Sequence, residues 1–299
     1  MSLKHRIKLK GCKVGLLGYG YTASYLAKLL VEVGCEVWGT SRDVSVLKSP
    51  VARCVDIVNF NRHDISTKLL NTQYILSSIP TSKVGEDAVL DELGELLVLH
   101  KDHLRGVGYL SSTSVYGDHQ GGWVDESSEC YAKTERAKNR LSAEQAWMSL
   151  CSNDGLPVMI FRLSGIYGPG RNVLDRLRLG KRVSAIKDGQ YFSRIHVYDI
   201  CAALYQSIIS PMPGEIFNLS DNLPAASSDV DCFAADLLGV NRPRLVSYQE
   251  AGLSSMAKEF YASNRRVCND KMRKHYLPEL RFPTYKEGLD SILLREDIV

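Results

Sequence analysis

The chain has 299 residues, 37 Lys and Arg against 34 Asp and Glu for a net charge of +3, and is 44% hydrophobic and 24% charged. That is ordinary globular composition with material for a large core. The near-neutral balance and scattered basic residues argue against a nucleic-acid surface, and no run approaches the roughly 18 apolar residues of a membrane span. The 8 cysteines include no C-x-x-C pair. This usage suits free thiols in a reducing compartment, and no signal-type apolar core precedes the first strand, so the expected location is cytoplasmic.

Along the chain, Val14 to Leu17 reads as a buried strand that breaks at Gly18-Tyr19-Gly20. An amphipathic pattern runs from Thr22 through Val33, Gly34 closes it, and a second strand follows at Val37 to Gly39. Strand, glycine turn, helix and strand in this order, with G-x-G-x-x-A at the first turn, are the pattern of a dinucleotide-binding βαβ unit. Gly18 allows the tight turn, Gly20 lets the backbone approach a pyrophosphate, and Ala23 lets the helix lie close to the sheet. Tyr19, Tyr21 and Thr22 complete the expected cradle, with the phosphates at the helix N-terminus. NAD sites usually carry Asp or Glu at the end of the second strand. Here Thr40-Ser41-Arg42 stands instead. Hydroxyls and a planar guanidinium suit a 2′-phosphate, so NADP is expected, with NAD as the alternative and Asp43 facing solvent.

A third strand is expected at Val51 to Ile57 and a fourth at Gln73 to Ile79, where Ser78, Ile79 and Pro80 would line the cofactor ribose. Val89 to His100 reads as a helix; His100 and His103 lack a third ligand, so no metal site is expected. Strand five, Gly108 to Leu110, runs into Ser111-Ser112-Thr113-Ser114-Val115-Tyr116-Gly117, a hydroxyl cluster placed to polarise a substrate carbonyl. A helix from Ala132 through Met148 and a strand from Leu156 to Leu163 follow, then a loop at 165 to 170. Beyond it the alternation loosens: a helix at Val173 to Leu179, strands at Val183 to Lys187 and Glu215 to Leu219, an extended Ser193 to Val197, and a helix from Asp199 to Ile209. A helix ending near Gly239, a strand at Arg244 to Ser247 and two or three helices complete the chain.

The glycine turn, the 111 to 117 motif, Arg162 with Tyr167-Gly168-Pro169-Gly170, and Ile195-His196-Val197-Tyr198-Asp199 occur in the order of the extended short-chain dehydrogenase/reductases. Over about residues 12 to 225 the chain resembles that group, the NAD-dependent epimerase/dehydratase family, and its tail from Asn264-Arg265-Arg266-Val267 onward looks like an atypical subgroup. The resemblance implies an α/β fold: a Rossmann-type doubly wound parallel sheet over 12–165, with later returns near 193–225, and a smaller C-terminal substrate domain over most of 166–299. It also implies a small-molecule substrate, often a sugar nucleotide. A homodimer is the assembly to test, and neither nucleic acid nor membrane is expected as a partner.

The family's chemistry uses a Tyr-x-x-x-Lys pair one helical turn apart, yet none of the 15 tyrosines has Lys four residues later. Aligning Leu141-Ser142-Ala143-Glu144 with the family's helix puts Arg136 at the Tyr position and Arg140 at the Lys position. Arg stays protonated and cannot act as a general base. By resemblance, Ser112 matches the carbonyl-polarising Ser. Arg140 would hold ribose hydroxyls, and Arg136 or Arg194 an anionic part of the substrate. Ser112, Thr113 and Tyr116 are the expected catalytic groups, with Tyr131, Tyr167, His119 and His196 as further candidates for a relocated proton carrier. Two functions follow: an NADP-dependent oxidoreductase with a displaced acid/base group, or a non-catalytic NADP(H)-binding sensor or scaffold.

Overall fold

The computed structural model describes residues 9–42, 54–82, 85–180 and 182–296. Asp43 and the start of the strand expected at Val51 lie outside the described residues. The principal elements are β1 (Lys13–Leu17), α1 (Tyr21–Glu32), β2 (Glu36–Ser41), β3 (Asp56–Asn59), α2 (Arg62–Leu69), β4 (Tyr74–Ser77), α3 (Ala88–Leu99), β5 (Gly106–Ser112), α4 (Glu135–Asp154), β6 (Val158–Leu163), α5 (Val197–Ile209) and β7 (Ile216–Leu219). The seven strands form one parallel sheet in the order β7-β6-β5-β4-β1-β2-β3. β1 lies between β2 and β4, with Val14 opposite Val37 on one side and Tyr74 on the other. The chain therefore winds outward in both directions from β1, which is the doubly wound topology and places the switch point beside the glycine turn.

Apolar runs become strands here because both faces of a parallel sheet are covered. β4 is buried at all four positions and β6 at all six. α1 buries Thr22, Ala23, Leu26, Ala27 and Leu30, one stripe at helical spacing. α3 is started by Asp87, whose Oδ1 accepts the N–H groups of Val89 and Leu90 at 3.0 and 3.2 Å. The sequence reading omits α2. Its buried residues are Ile65 and Leu69 alone, too few for a periodic signal, while Asn61 supplies the cap by accepting from Asp64 N–H at 2.8 Å.

Contacts divide the chain into two compact units. The first comprises the residues to Ser112 with Glu135–Arg162 and Ile200–Phe217; the second comprises Thr113–Thr134, Leu163–Asp199 and the chain from Asn218 onward. The loop after β5 lies in the second unit, and the stretch 200–217 returns to the first. The first unit is held by a cluster that includes Leu17, Trp38, Leu93, Tyr109, Trp147 and Ile160.

The second unit contains three parallel two-stranded pairs: Gly165–Tyr167 with Arg194–His196, Val183–Ile186 with Arg244–Ser247, and Trp123–Val124 with Arg266–Val267. The segment at 165 to 167, expected as loop, is therefore a short strand, because Arg194–His196 offers it a partner. A second apolar cluster joins Tyr167, Leu174, Ala234, Tyr285 and Leu289.

Candidate functional site

In the first unit the turn between β1 and α1 is braced from both neighbouring strands. Gly18 has φ +89°, and a Cβ there would lie 2.8 Å from Ile79 Cγ1. From β2, Thr40 accepts the Gly18 N–H on Oγ1 at 2.9 Å, and its carbonyl accepts the Tyr19 N–H at 2.7 Å. After β4, the Ser78 hydroxyl donates to the Gly18 carbonyl at 2.6 Å. Of the residues expected at the end of β2, Thr40 is buried and engaged in the turn, Ser41 is half-buried and Arg42 is exposed. Ser78 and Ile79 are half-buried, while Pro80 is exposed.

α1 begins at Gly20 with no side-chain cap and no acidic residue in its first turn, and a Cβ at Gly20 would meet no atom of the described residues within 4 Å. An uncapped helix start with space before it and the positive end of the helix dipole are what a dinucleotide's phosphates require. The Tyr19 hydroxyl is buried without a hydrogen-bond partner among the described residues. Tyr21 packs on Tyr25 with ring centroids 5.1 Å apart, and Thr22 is buried in the helix–sheet contact. The residues present thus fit a nicotinamide dinucleotide.

At the end of β5, Ser112 is half-buried and Thr113 is buried at the start of a single turn of 3-10 helix. On α4, Arg140 donates from Nη1 to the Tyr109 hydroxyl at 2.8 Å and to the Leu110 carbonyl at 3.0 Å. One of its nitrogens thus holds β5, and the guanidinium lies 5.4 Å from the Tyr109 ring centroid. Arg136 is exposed one turn earlier.

Beneath them the Ser111 hydroxyl donates to Glu144, which accepts Arg162 Nη2 at 2.7 Å and Nε at 3.1 Å. Both charges are about 5% exposed. Glu144 was not foreseen as a partner, although Arg162 inside the apolar strand VMIFRL was a usable signal, since a buried guanidinium needs a carboxylate.

In the second unit Tyr116 is fully buried and donates its hydroxyl to Asn218 Oδ1 at 2.8 Å, while the Asn218 N–H donates to Glu126 at 2.7 Å. Tyr116, expected as a catalytic group, thus has its hydroxyl engaged by Asn218. Tyr167 donates to the Thr284 carbonyl at 3.3 Å, and His196 Nδ1 accepts the Tyr198 N–H at 3.2 Å, both residues being buried.

Arg194 spends Nη1 on the carbonyls of Phe192 and Ala225, at 2.7 and 3.0 Å. Through Nη1 it ties two chain segments together. Asp221, beside it in charge, has its carboxyl pushed up to about 8 by burial, against the pull of a Leu223 N–H bond and Arg194. No cluster of three or more metal-ligating side chains occurs among the described residues.

The NAD dependent epimerase/dehydratase family matches over residues 85–220. A functionally unknown conserved protein from Silicibacter pomeroyi is 37% identical, with a TM-score of 0.89 over 95% of this chain and 99% of its own. dTDP-glucose 4,6-dehydratase from Bacillus anthracis, in complex with NAD, aligns at 17% identity and TM-score 0.74 over 96% of this chain and 97% of its own. UDP-glucuronic acid 4-epimerase from Bacillus cereus, in complex with UDP-glucuronic acid and NAD, aligns at 14% and 0.73 over 95% and 99%. No curated protein matches in sequence.

Proposed function

The chain belongs to the NAD dependent epimerase/dehydratase family, and from that premise we propose that it is an NADP(H)-dependent oxidoreductase acting on a carbonyl or sugar-nucleotide-like substrate. The observation that carries the reading is the glycine turn held by Thr40 and Ser78 ahead of an uncapped helix N-terminus. Two side chains spent on one turn mark a loop whose position matters. Ser41 and Arg42 at the end of β2 take the 2′-phosphate of NADP, a role in which an acidic residue would instead hold a hydroxyl. The bound dinucleotide supplies or accepts a hydride. Ser112 and Thr113 polarise the substrate carbonyl, Arg140 orients ribose hydroxyls with the donors that β5 leaves it, and Arg136 or Arg194 faces an anionic substituent.

NADPH fluorescence titration tests this directly. NADPH should bind more tightly than NADH, and Arg42→Ala should weaken NADPH by about tenfold, as for one lost charged hydrogen bond, while leaving NADH nearly unchanged. Equal effects on the two cofactors would remove the NADP assignment.

A second reading, a non-catalytic NADP(H)-binding sensor, is favoured by one observation. Arg136 and Arg140 stand at the Tyr and Lys positions, and Arg140 is tied to Tyr109 and Leu110. That reading requires oxidised and reduced cofactor to bind with different calorimetric affinity, and turnover of any carbonyl substrate would dismiss it.

A further inference from the structure

A guanidinium withdrawn from solvent needs acceptors for its five donors, and two arginines adjacent in the second unit differ in how far that need is met. Arg266 is held on three sides. Its Nε donates to the Gly121 carbonyl at 2.6 Å, and its guanidinium lies 5.3 and 5.0 Å from the ring centroids of Trp123 and Tyr191. Arg265 is half-buried and donates from Nη1 to the Gly117 carbonyl at 3.0 Å, its one hydrogen bond among the described residues. Its Nε is buried with no acceptor among those residues, and no carboxylate of theirs pairs with it.

The backbone on either side of Arg265 is pinned. The Asn264 carbonyl accepts the N–H groups of His119 and Gly121 at 3.0 Å, and the Asn264 N–H donates to Asp118 Oδ1 at 3.0 Å. Beyond Arg265, the Arg266 N–H donates to the Gly122 carbonyl at 2.9 Å and the Val267 N–H to Ser193 Oγ at 3.0 Å. The acceptor is fixed as well. Gly117 has φ +69°, and a Cβ there would fall 1.9 Å from the Tyr131 carbonyl oxygen, a conformation and a fit that admit only glycine. Nη1 is thus held at a set place, and the edge formed by Nε and Nη2 lies opposite it. That is the edge by which Arg162 grips Glu144, at 3.1 and 2.7 Å. The neighbouring Asp118 carboxylate is engaged elsewhere, its Oδ1 accepting the N–H groups of Gln120 and Asn264. Burial lowers the Arg265 guanidinium to about 10, against the pull of Asp118 and Tyr116, which leaves it charged at neutral pH.

We propose that Arg265 anchors an oxyanion subsite in the second unit, taking a carboxylate or phosphate group of a small molecule on its Nε–Nη2 edge. Two parallel N–H donors in one plane match two oxygens of such a group, which a point charge cannot do. A guanidinium drawn out of water with no counter-charge gains more from an anion than an exposed one does. The pinned backbone reduces the ordering that binding would otherwise require. Arg266, one residue on, already spends its Nε on a carbonyl and its faces on two rings, so the pair divides into one structural and one ligand-facing arginine. All the residues involved belong to the second unit. The subsite therefore depends on neither the dinucleotide nor the reaction, and failure of the oxidoreductase reading would leave it standing.

The test uses the full chain without cofactor, isotope-labelled for nuclear magnetic resonance of its arginine side chains and backbone. The Arg265 Nε–H resonance, identified by its loss in Arg265→Lys, should shift and saturate at millimolar inorganic phosphate or acetate. The Arg162 resonance, already paired, should stay in place, and chloride at equal ionic strength should move neither. The signal is read at this residue because the N-terminus of α1 also attracts phosphate. The backbone amide resonance of Gly117 should follow the same curve in the wild type. In Arg265→Lys, which keeps the charge and loses the planar fork, it should need about tenfold more phosphate. Saturation by phosphate alone would assign a phosphate group, and by acetate alone a carboxylate. An Arg265 Nε–H resonance that neither anion shifts, or a Gly117 curve unchanged in Arg265→Lys, would overturn the subsite.

Discussion

Single side chains decide how much of the expected chemistry is available. Thr40 and Ser78 look like ligand contacts in sequence, because hydroxyls at the ends of strands β2 and β4 face the cofactor crevice; in the fold both are spent on Gly18. Thr40→Val should remove the acceptor of the Gly18 N–H, cost on the order of 1 kcal/mol of stability, and weaken NADPH without changing the NADPH-to-NADH preference, as a paired denaturation and fluorescence series would read.

Asp221 offers a pH-dependent counterpart. Its folded carboxyl is raised to about 8, whereas an unfolded Asp titrates at about 3.9. Between those values the unfolded chain releases a proton that the folded chain retains, so this residue makes stability fall as pH rises, by up to about 1.4 kcal/mol per pH unit. Asp221→Asn keeps the acceptor for Leu223 N–H and should flatten that fall; urea midpoints at pH 5 and pH 7.5 compare the two proteins. Equal slopes would show that the carboxyl ionises normally.

At the scale of elements, the β1 turn and helix α1 form a unit in which strain and support are matched. Gly18 sits at φ +89° with Ile79 behind it. Gly18→Ala should therefore abolish measurable NADPH binding and lower the melting temperature, since an L side chain is strained there whatever the space. Gly20→Ala has room and should lose cofactor affinity alone, with the melting temperature kept. The contrast between the two variants separates a folding role from a ligand-facing one.

Elements with a long apolar stripe were legible in sequence. α1 and α3 are found within one residue at each end, and the strand at Arg244–Ser247 matches at both ends. α2 was not legible, because Ile65 and Leu69 alone meet the core and Asn61 is an ordinary polar residue until its side chain caps the helix.

For the whole molecule, the buried pair Glu144–Arg162 ties α4 to β6, and through Ser111 to β5. Glu144→Ala strands a guanidinium that is 5% exposed. It should cost about 3–5 kcal/mol, read as a lowered denaturation midpoint. Arg162→Met with Glu144→Leu should recover much of it, because the isolated charge rather than the missing bond carries the penalty.

Hydrophobic period and the glycine spacing are local properties, and they sufficed for the parallel α/β sheet and for the place of the glycine turn between β1 and α1. The partners of Arg162, Tyr116 and Asn264 were beyond reach. Each bonds to a segment far along the chain: Arg162 to Glu144, Tyr116 to Asn218, Asn264 to the loop at 117–122. Side-chain type says that a buried polar group must be satisfied, but which group satisfies it depends on long-range packing.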